Sequence, residues 1–382
     1  MSKFRESIAL GEEVNMKRRG FLRLAGGAAG LAVLPVGCSM IGIGKGLEDR
    51  KEQRVRKGQS MKIERLAMPP FNTTLMGVVK GALDYHNADH NIGHDVEMSA
   101  AFVFGASGHA FLINIHKELC PSGPYCWNRD AASPLIRNLG LEMSDLGFYC
   151  LESSRQDRAS VEAKLRAALD EGIPCSLLNM ENQLIAGYDD EGFFVVQPWP
   201  GMCPENVTPA RLTFGSWKEF GEECHVNFYI LRRVTPLDRR SPINHRKAVL
   251  DSLDYAVDLH ANPAKHTSKD YGVGPHAYTN WIAAAAEYGA SHGNWWNGTV
   301  WSECRQMASR YFAEIQQTYE DAAPAASELT RAYADIAGAL GRLSDKAMPA
   351  VEKVKLLGET QRKEAEAIRK VAAVAAAIRS GH

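Results

Sequence analysis

The chain of 382 residues reads as an α+β domain over residues 63–236 followed by an all-α helical bundle over residues 237–382. Three observations point there. An apolar stripe of helical period opens the first part, at Leu75, Val78, Val79, Ala82 and Leu83. Short apolar stretches broken by Gly, Asp and Pro turns then follow, the pattern of strands and hairpins. Beyond Thr235-Pro236-Leu237-Asp238 almost every stretch has helical period. Apolar content of 45% and charged content of 23% belong to a folded globular chain, long enough for two or three cores. A net charge of −1, with no basic run interleaved with aromatics, gives no footing for a nucleic-acid partner. Eight cysteines are too dilute for a disulfide scaffold.

Residues 1–38 read as an export segment. Lys17-Arg18-Arg19-Gly20-Phe21-Leu22-Arg23 carries a twin arginine and Phe-Leu, and a weakly apolar, Gly/Ala-rich run continues from Leu24 to Gly37. This resembles a twin-arginine signal, an address read by the twin-arginine translocase on folded cargo. The alternative is a short core helix; the run is too short and glycine-rich to span a membrane. It ends Leu34-Pro35-Val36-Gly37-Cys38-Ser39, similar to a lipoprotein cleavage site with Cys38 lipidated, although Pro35 stands where Leu is usual. The expected destination is the periplasm, with the protein either free or held at the membrane through a lipid on Cys38. Residues 39–62 lack periodicity and read as a linker.

The first domain opens near Ile63, with its first helix in Phe71–His86. Asn72, Thr73 and Thr74 precede the apolar stripe, where a helix N-terminus needs side-chain acceptors, and His86 is expected to end the helix. Ala101–Ile115 alternates in part and reads as strand, Gly-rich turn and strand, with His109 starting the second strand on the cleft side. Cys120–Trp127 is a Pro/Gly loop, and a short helix is expected near Pro134–Leu139. Ser160–Glu171 is a helix capped by Ser160 and ended by Gly172. Cys175–Leu178 is a strand; Leu184–Tyr188 and Phe193–Gln197 form a hairpin, and Arg211–Phe214 and Val226–Arg232 add two more strands. In the bundle, one helix presents Val249, Leu253, Ala256 and Val257, and another Val300, Cys304, Met307, Tyr311 and Ile315. Helices at Ala325–Leu343, Ala350–Gly358 and Glu359–Ser380 complete it.

The succession of a polar-capped helix, a Gly-rich strand, a second helix and the hairpin around Gly187-Tyr188-Asp189-Asp190-Glu191-Gly192 resembles papain-like folds. It is most similar to C39-type bacterial peptidases and the N-terminal domain of butirosin biosynthesis protein H. The likeness covers roughly residues 63–236, and the bundle is similar to the domain that follows in butirosin-type relatives. The resemblance implies a cysteine nucleophile at a helix N-terminus, which favours the thiolate, a histidine base, and an Asn or Asp that orients it. Counted back from Tyr85-His86, the nucleophile position holds Thr74. The base position, six residues before Gly187, holds Glu181, and the third position, before Pro198, holds Gln197. A threonine hydroxyl needs a strong adjacent base, and a carboxylate suits neutral pH only if burial raises its pKa. The resemblance thus implies the architecture without the inherited peptidase chemistry.

His109, after Gly105-Ala106-Ser107-Gly108, is either a ligand-contacting or catalytic group or a hydrogen-bonded structural histidine; the spacing is not a dinucleotide fingerprint. The loop from Cys120 to Trp127 could close a disulfide after export or form a rigid aromatic wall, and its spacing fits neither a zinc knuckle nor a redox pair. The candidate ligand-binding set is Asn72, His109, Cys120, Tyr125 and Trp127. His86, His90 and His94, with Asp84, Asp89 and Asp95, read as a surface loop because Asn91-Ile92-Gly93 breaks any continued helix; no metal and no cofactor is expected. His276, Tyr278, Trp281, Trp295, Trp296, Trp301, Glu303 and Arg305 form an aromatic-rich patch, mostly core, with some members free to cover the cleft.

The expected function is binding of a small molecule or peptide in that cleft without peptidase activity. One alternative is an amide hydrolase or acyltransferase rebuilt on His109 with Thr74 or Cys120, which requires His109 within hydrogen-bond reach of one of them. Another is a cell-envelope scaffold, which requires an exposed apolar stripe on residues 359–380.

Overall fold

The computed structural model describes residues 60–89, 98–199, 210–234 and 244–381. The export segment with Cys38, most of the linker, and His90 and His94 lie outside the described residues. In chain order the strands are β1 (Met61–Lys62), β2 (Asn114–His116), β3 (Leu141–Cys150), β4 (Cys175–Leu178), β5 (Asn182–Tyr188), β6 (Gly192–Val196), β7 (Arg211–Thr213), β8 (His225–Arg233) and β9 (Tyr271–Val273). The helices are α1 (Thr74–Asp89), α2 (Ala100–Ala106), α3 (Ser133–Asn138), α4 (Arg155–Asp170), α5 (His245–Ala261), α6 (Pro275–Tyr288), α7 (His292–Thr318), α8 (Ala323–Leu343) and α9 (Ala350–Ser380).

The architecture is mixed α+β with a C-terminal helical region. An antiparallel sheet runs β3-β8-β4-β5-β6-β7, and β1 pairs with the far end of β5, Met61 opposite Tyr188. The stretch read as linker therefore ends in a strand. Helix α1 buries Leu75, Val78, Val79, Ala82 and Leu83, the stripe the periodicity picks out, and full burial of one Val or Leu is worth roughly 1.5–3 kcal/mol. That stripe lies on the face of the sheet that carries Leu184, whose Cδ1 is 3.0 Å from where a Cβ on Gly81 would sit. Cys175, paired with Ile185, reaches Leu165 of α4 on the other face, so α1 and α4 sandwich the sheet.

The two halves are interleaved. Strand β2 pairs with β9 of the second half, Ile115 opposite Gly272, and α7 packs along α8 and also against α2 and the 3₁₀ turn His109–Phe111. One hydrophobic core runs through both. Among the described residues no helix is long and apolar enough to cross a membrane.

Several expectations are corrected. The strand expected from Ala101 is helix α2: the Ser99 hydroxyl accepts the Phe102 N–H at 2.9 Å, and residues 101–106 are buried all round, so a short apolar run had no period to separate the two readings. Within it, a Cβ on Gly105 would lie 2.2 Å from the Tyr311 ring, and Gly108 turns the chain at φ +75°. Helix α4 starts five residues before Ser160, capped by Ser154, which accepts the Asp157 N–H at 3.1 Å. Helix α1 does not stop at His86, whose Nε2 lies 3.0 Å from the Leu231 carbonyl; it continues to Asp89. The two helices expected over 350–380 are one, because Gly358 costs a 31-residue helix only about 1 kcal/mol. Its apolar positions Ile368, Val371, Val374 and Ile378 are buried, so residues 359–380 present no exposed apolar stripe. Strand β3, half-buried along most of its length, shows no alternation in sequence.

Candidate functional site

The N-terminus of α1 is built by three segments remote in sequence. Thr73 C=O accepts the N–H of Met76 at 2.9 Å and of Gly77 at 3.2 Å, which starts the helix. The preceding donors go to Glu303 of α7: Thr73 N–H reaches Oε2 at 2.8 Å, and Asn72 N–H and Nδ2 reach Oε1 at 3.0 and 3.2 Å. A carboxylate at the positive end of a helix is the favourable arrangement. The cap is thus supplied by Glu303 rather than by Asn72, Thr73 or Thr74. Burial pushes the Glu303 carboxyl above its ordinary 4.5, against the pull of these N–H groups.

Thr74 and Glu181 meet. The Thr74 hydroxyl donates to Glu181 Oε2 at 2.8 Å and accepts from Asn182 N–H at 3.1 Å and Asn182 Nδ2 at 3.3 Å. One donor and both lone pairs of the hydroxyl are therefore in use. Tyr125 donates to Glu181 Oε1 at 2.5 Å, and Trp296 Nε1 donates to the Tyr125 oxygen at 3.1 Å. Trp199 sets its ring edge-on to Trp296, 5.8 Å between centroids, and donates to the Phe71 carbonyl at 3.2 Å. Under this roof Thr74 is 1% exposed and Glu181 4%. Gln197 lies half-buried one residue past the Leu184–Val196 pair of β5 and β6.

No family model and no curated protein matches this chain. The geometry alone carries the reading that follows.

The remaining candidates separate. Asn72 spends its amide on Glu303. His109 does not start a strand; it lies in the 3₁₀ turn, 3% exposed, between Phe104 and Trp127, and its Nε2 is buried without a hydrogen-bond partner. Burial first, then Arg129 and Arg305, hold its pKa down to about 3, so the ring is neutral. It makes no side-chain bond to Thr74 or Cys120: the former is saturated as described, and Cys120 Sγ accepts from Ser122 Oγ at 2.8 Å. Cys120 and Cys126 are thiols and share no disulfide. Trp127 donates to the Pro124 carbonyl at 3.1 Å and packs against His109 and Arg129, forming a wall of the loop. Among the described residues no group of three or more His, Cys, Asp or Glu side chains is placed to hold a metal.

Elsewhere among the described residues, two pockets bear on a ligand. One, of about 360 Å³, lies beside α1 and is lined by Arg65, Met68, Pro69, Asp84 and Tyr85. The other, open and of about 600 Å³, is lined by His292, Trp295, Ser344, Asp345 and Lys346. Lys346 Nζ stands 5.9 Å from the Trp295 ring centre, and Trp295 packs 5.6 Å from Trp296, so this pocket borders the roof over Thr74.

A Glu carboxyl 2.8 Å from a hydroxyl has the spacing of a general base. Here, however, the same hydroxyl is held by two N–H donors that withdraw electron density, and neither group meets solvent. Sequence reasoning missed Glu303 as a cap and Asn182 as a partner of Thr74. The first is 230 residues from Thr73, and the second, 108 residues from Thr74, meets it through both its backbone N–H and its side-chain amide, with no local signal for either contact.

Proposed function

We propose that this chain is an exported papain-like protein whose nucleophile seat has become a structural tie, and that it acts by binding a small molecule or peptide, not by cleaving one. What supports this is the Thr74 hydroxyl: fully hydrogen-bonded to Glu181 and Asn182, and 1% exposed. An acyl group has no route to an oxygen whose lone pairs are occupied beneath Trp199, Trp296 and Tyr125. The proposed ligand site is instead the pocket next to the roof, lined by His292, Trp295, Ser344, Asp345 and Lys346. There an aromatic face is combined with cationic, hydroxyl and carboxylate groups, the mixture that orients polar ligands.

The purified chain and its Thr74→Ala variant are assayed against amide, ester and peptide substrates, and equal, background turnover is expected. Turnover by the wild type that Thr74→Ala abolishes would overturn the reading. In a thermal-shift screen of short peptides and polar metabolites, compounds that raise the melting point should lose that effect in Trp295→Ala. Shifts that survive in that variant would place the ligand elsewhere.

A further inference from the structure

The centre of the helical half is not apolar. Each of the helices α5 to α9 sends one polar side chain to the same place: His260, Tyr278, Arg305, Tyr333 and Glu364, in that order. Arg305, Tyr278 and Tyr333 have no exposed surface, and Glu364 has almost none. Arg305 Nε donates to Glu364 Oε2 at 3.0 Å, and the Tyr278 hydroxyl donates to the same oxygen at 3.1 Å. Arg305 Nη1 donates to the carbonyls of Ala110 and Leu112 at 2.8 and 2.9 Å, which fastens the 3₁₀ turn of the first half to the bundle.

The pair is one-pronged. An arginine–carboxylate fork would use both oxygens, yet Arg305 Nη2 and Glu364 Oε1 are each buried without a hydrogen-bond partner, as are the Tyr333 hydroxyl and His260 Nε2. Arg305 and Glu364 both act electrostatically on Tyr333 and on His260, so these groups share one neighbourhood. Leaving that many polar atoms dry would cost several kcal/mol, and native interiors avoid it by binding water.

We propose that this five-helix cluster is an internal binding site for neutral, water-sized molecules that accept from Arg305 Nη2 and Tyr333 and donate to Glu364 Oε1. The chemistry selects such a guest. Arg305 and Glu364 already cancel in charge, so an anion would face the carboxylate and a cation the guanidinium. What is missing is a molecule that donates and accepts at once, and a buried water makes about three hydrogen bonds. Because an apolar trio of similar volume could hold the helices equally well, the polar set with its guest serves to fix the register of five helices and the turn at His109–Phe111.

A high-resolution crystal structure of the full chain is expected to show a water within about 3.2 Å of both Arg305 Nη2 and Glu364 Oε1. A closed two-pronged pair with no water between its ends overturns the proposal. In solution, oxygen-17 relaxation dispersion counts long-lived internal waters. The Arg305→Met, Glu364→Leu double variant should lose at least one relative to wild type, and an unchanged count overturns the proposal. If that variant does not fold, Tyr333→Phe is read instead: a shorter residence time is expected, and an unchanged one counts against the site.

Discussion

Thr74→Val tests whether the seat is a tie. The substitution keeps the volume and β-branching of the side chain and removes only the hydroxyl. Three hydrogen bonds go with it: the 2.8 Å bond to Glu181 Oε2, and those accepted from the Asn182 N–H at 3.1 Å and from Asn182 Nδ2 at 3.3 Å. A hydrogen bond to a carboxyl contributes about 1–3 kcal/mol, and a buried N–H left without an acceptor costs about 1–3 kcal/mol. The expected loss is therefore about 2–6 kcal/mol, read as a lower urea midpoint by circular dichroism. Thr74→Ser, which keeps the oxygen, should stay within about 1 kcal/mol of wild type. Removing both partners, Thr74→Val with Glu181→Leu, should recover part of the loss through a coupling of about 1–3 kcal/mol. Thr74→Val with a midpoint equal to wild type would refute the tie.

Three further outcomes follow from the same accounting. Gln183 is fully buried on the α4 face of β5 and neither end of its amide has a hydrogen-bond partner, so Gln183→Met should raise stability by about 1 kcal/mol; a loss in urea melts would reveal a hidden partner. Burial raises Glu303 above 4.5, so the folded chain holds this proton more tightly than the unfolded one. Its contribution is complete below pH 4.5 and is lost as pH rises through the folded value; Glu303→Gln should flatten that fall in stability–pH profiles, and an unchanged slope counts against it. Gly105→Ala would stabilise an open helix, but with the Tyr311 ring 2.2 Å from the new Cβ it should cost about 1–3 kcal/mol or more, and a raised melting temperature would contradict the packing.

Local signals carried much of the fold. The stripe from Leu75 to Leu83, the hairpin around residues 189–192 and the faces of α5 and α7 were legible because each element buries one side and shows its period in the sequence. Helix α2 was misread because all of its residues from Ala101 to Ala106 are buried, which erases any period. Strand β3 was missed for the opposite reason, as neither of its faces is deeply buried. At the α1 N-terminus, the papain-like resemblance singled out Thr74 and Glu181 as separate positions, and their 2.8 Å bond is a long-range contact that no local pattern in the sequence shows. The roof was only half visible: Trp296 and Glu303 stood in the aromatic-rich patch, but nothing local assigns one to Tyr125 and the other to the α1 N-terminus.

Helix α7 gathers these roles. Within eleven residues it delivers Trp295 to the open pocket, Trp296 to Tyr125, Glu303 to the start of α1 and Arg305 to the turn below His109. A ligand that entered the seat itself would have to part Trp296 from Tyr125 and Trp199, whereas one in the adjacent pocket leaves those contacts in place. Opening the roof should therefore not create an enzyme. In Trp296→Ala the covering ring is gone, at about 3–5 kcal/mol of stability, yet the Thr74 hydroxyl keeps its bonds to Glu181 and Asn182. A fluorophosphonate, which modifies activated hydroxyls, is expected to leave the mass of both wild type and Trp296→Ala unchanged. A covalent adduct mapped to Thr74 in the opened variant would mean that the roof, and not the hydrogen bonding of the hydroxyl, is what keeps the seat inert.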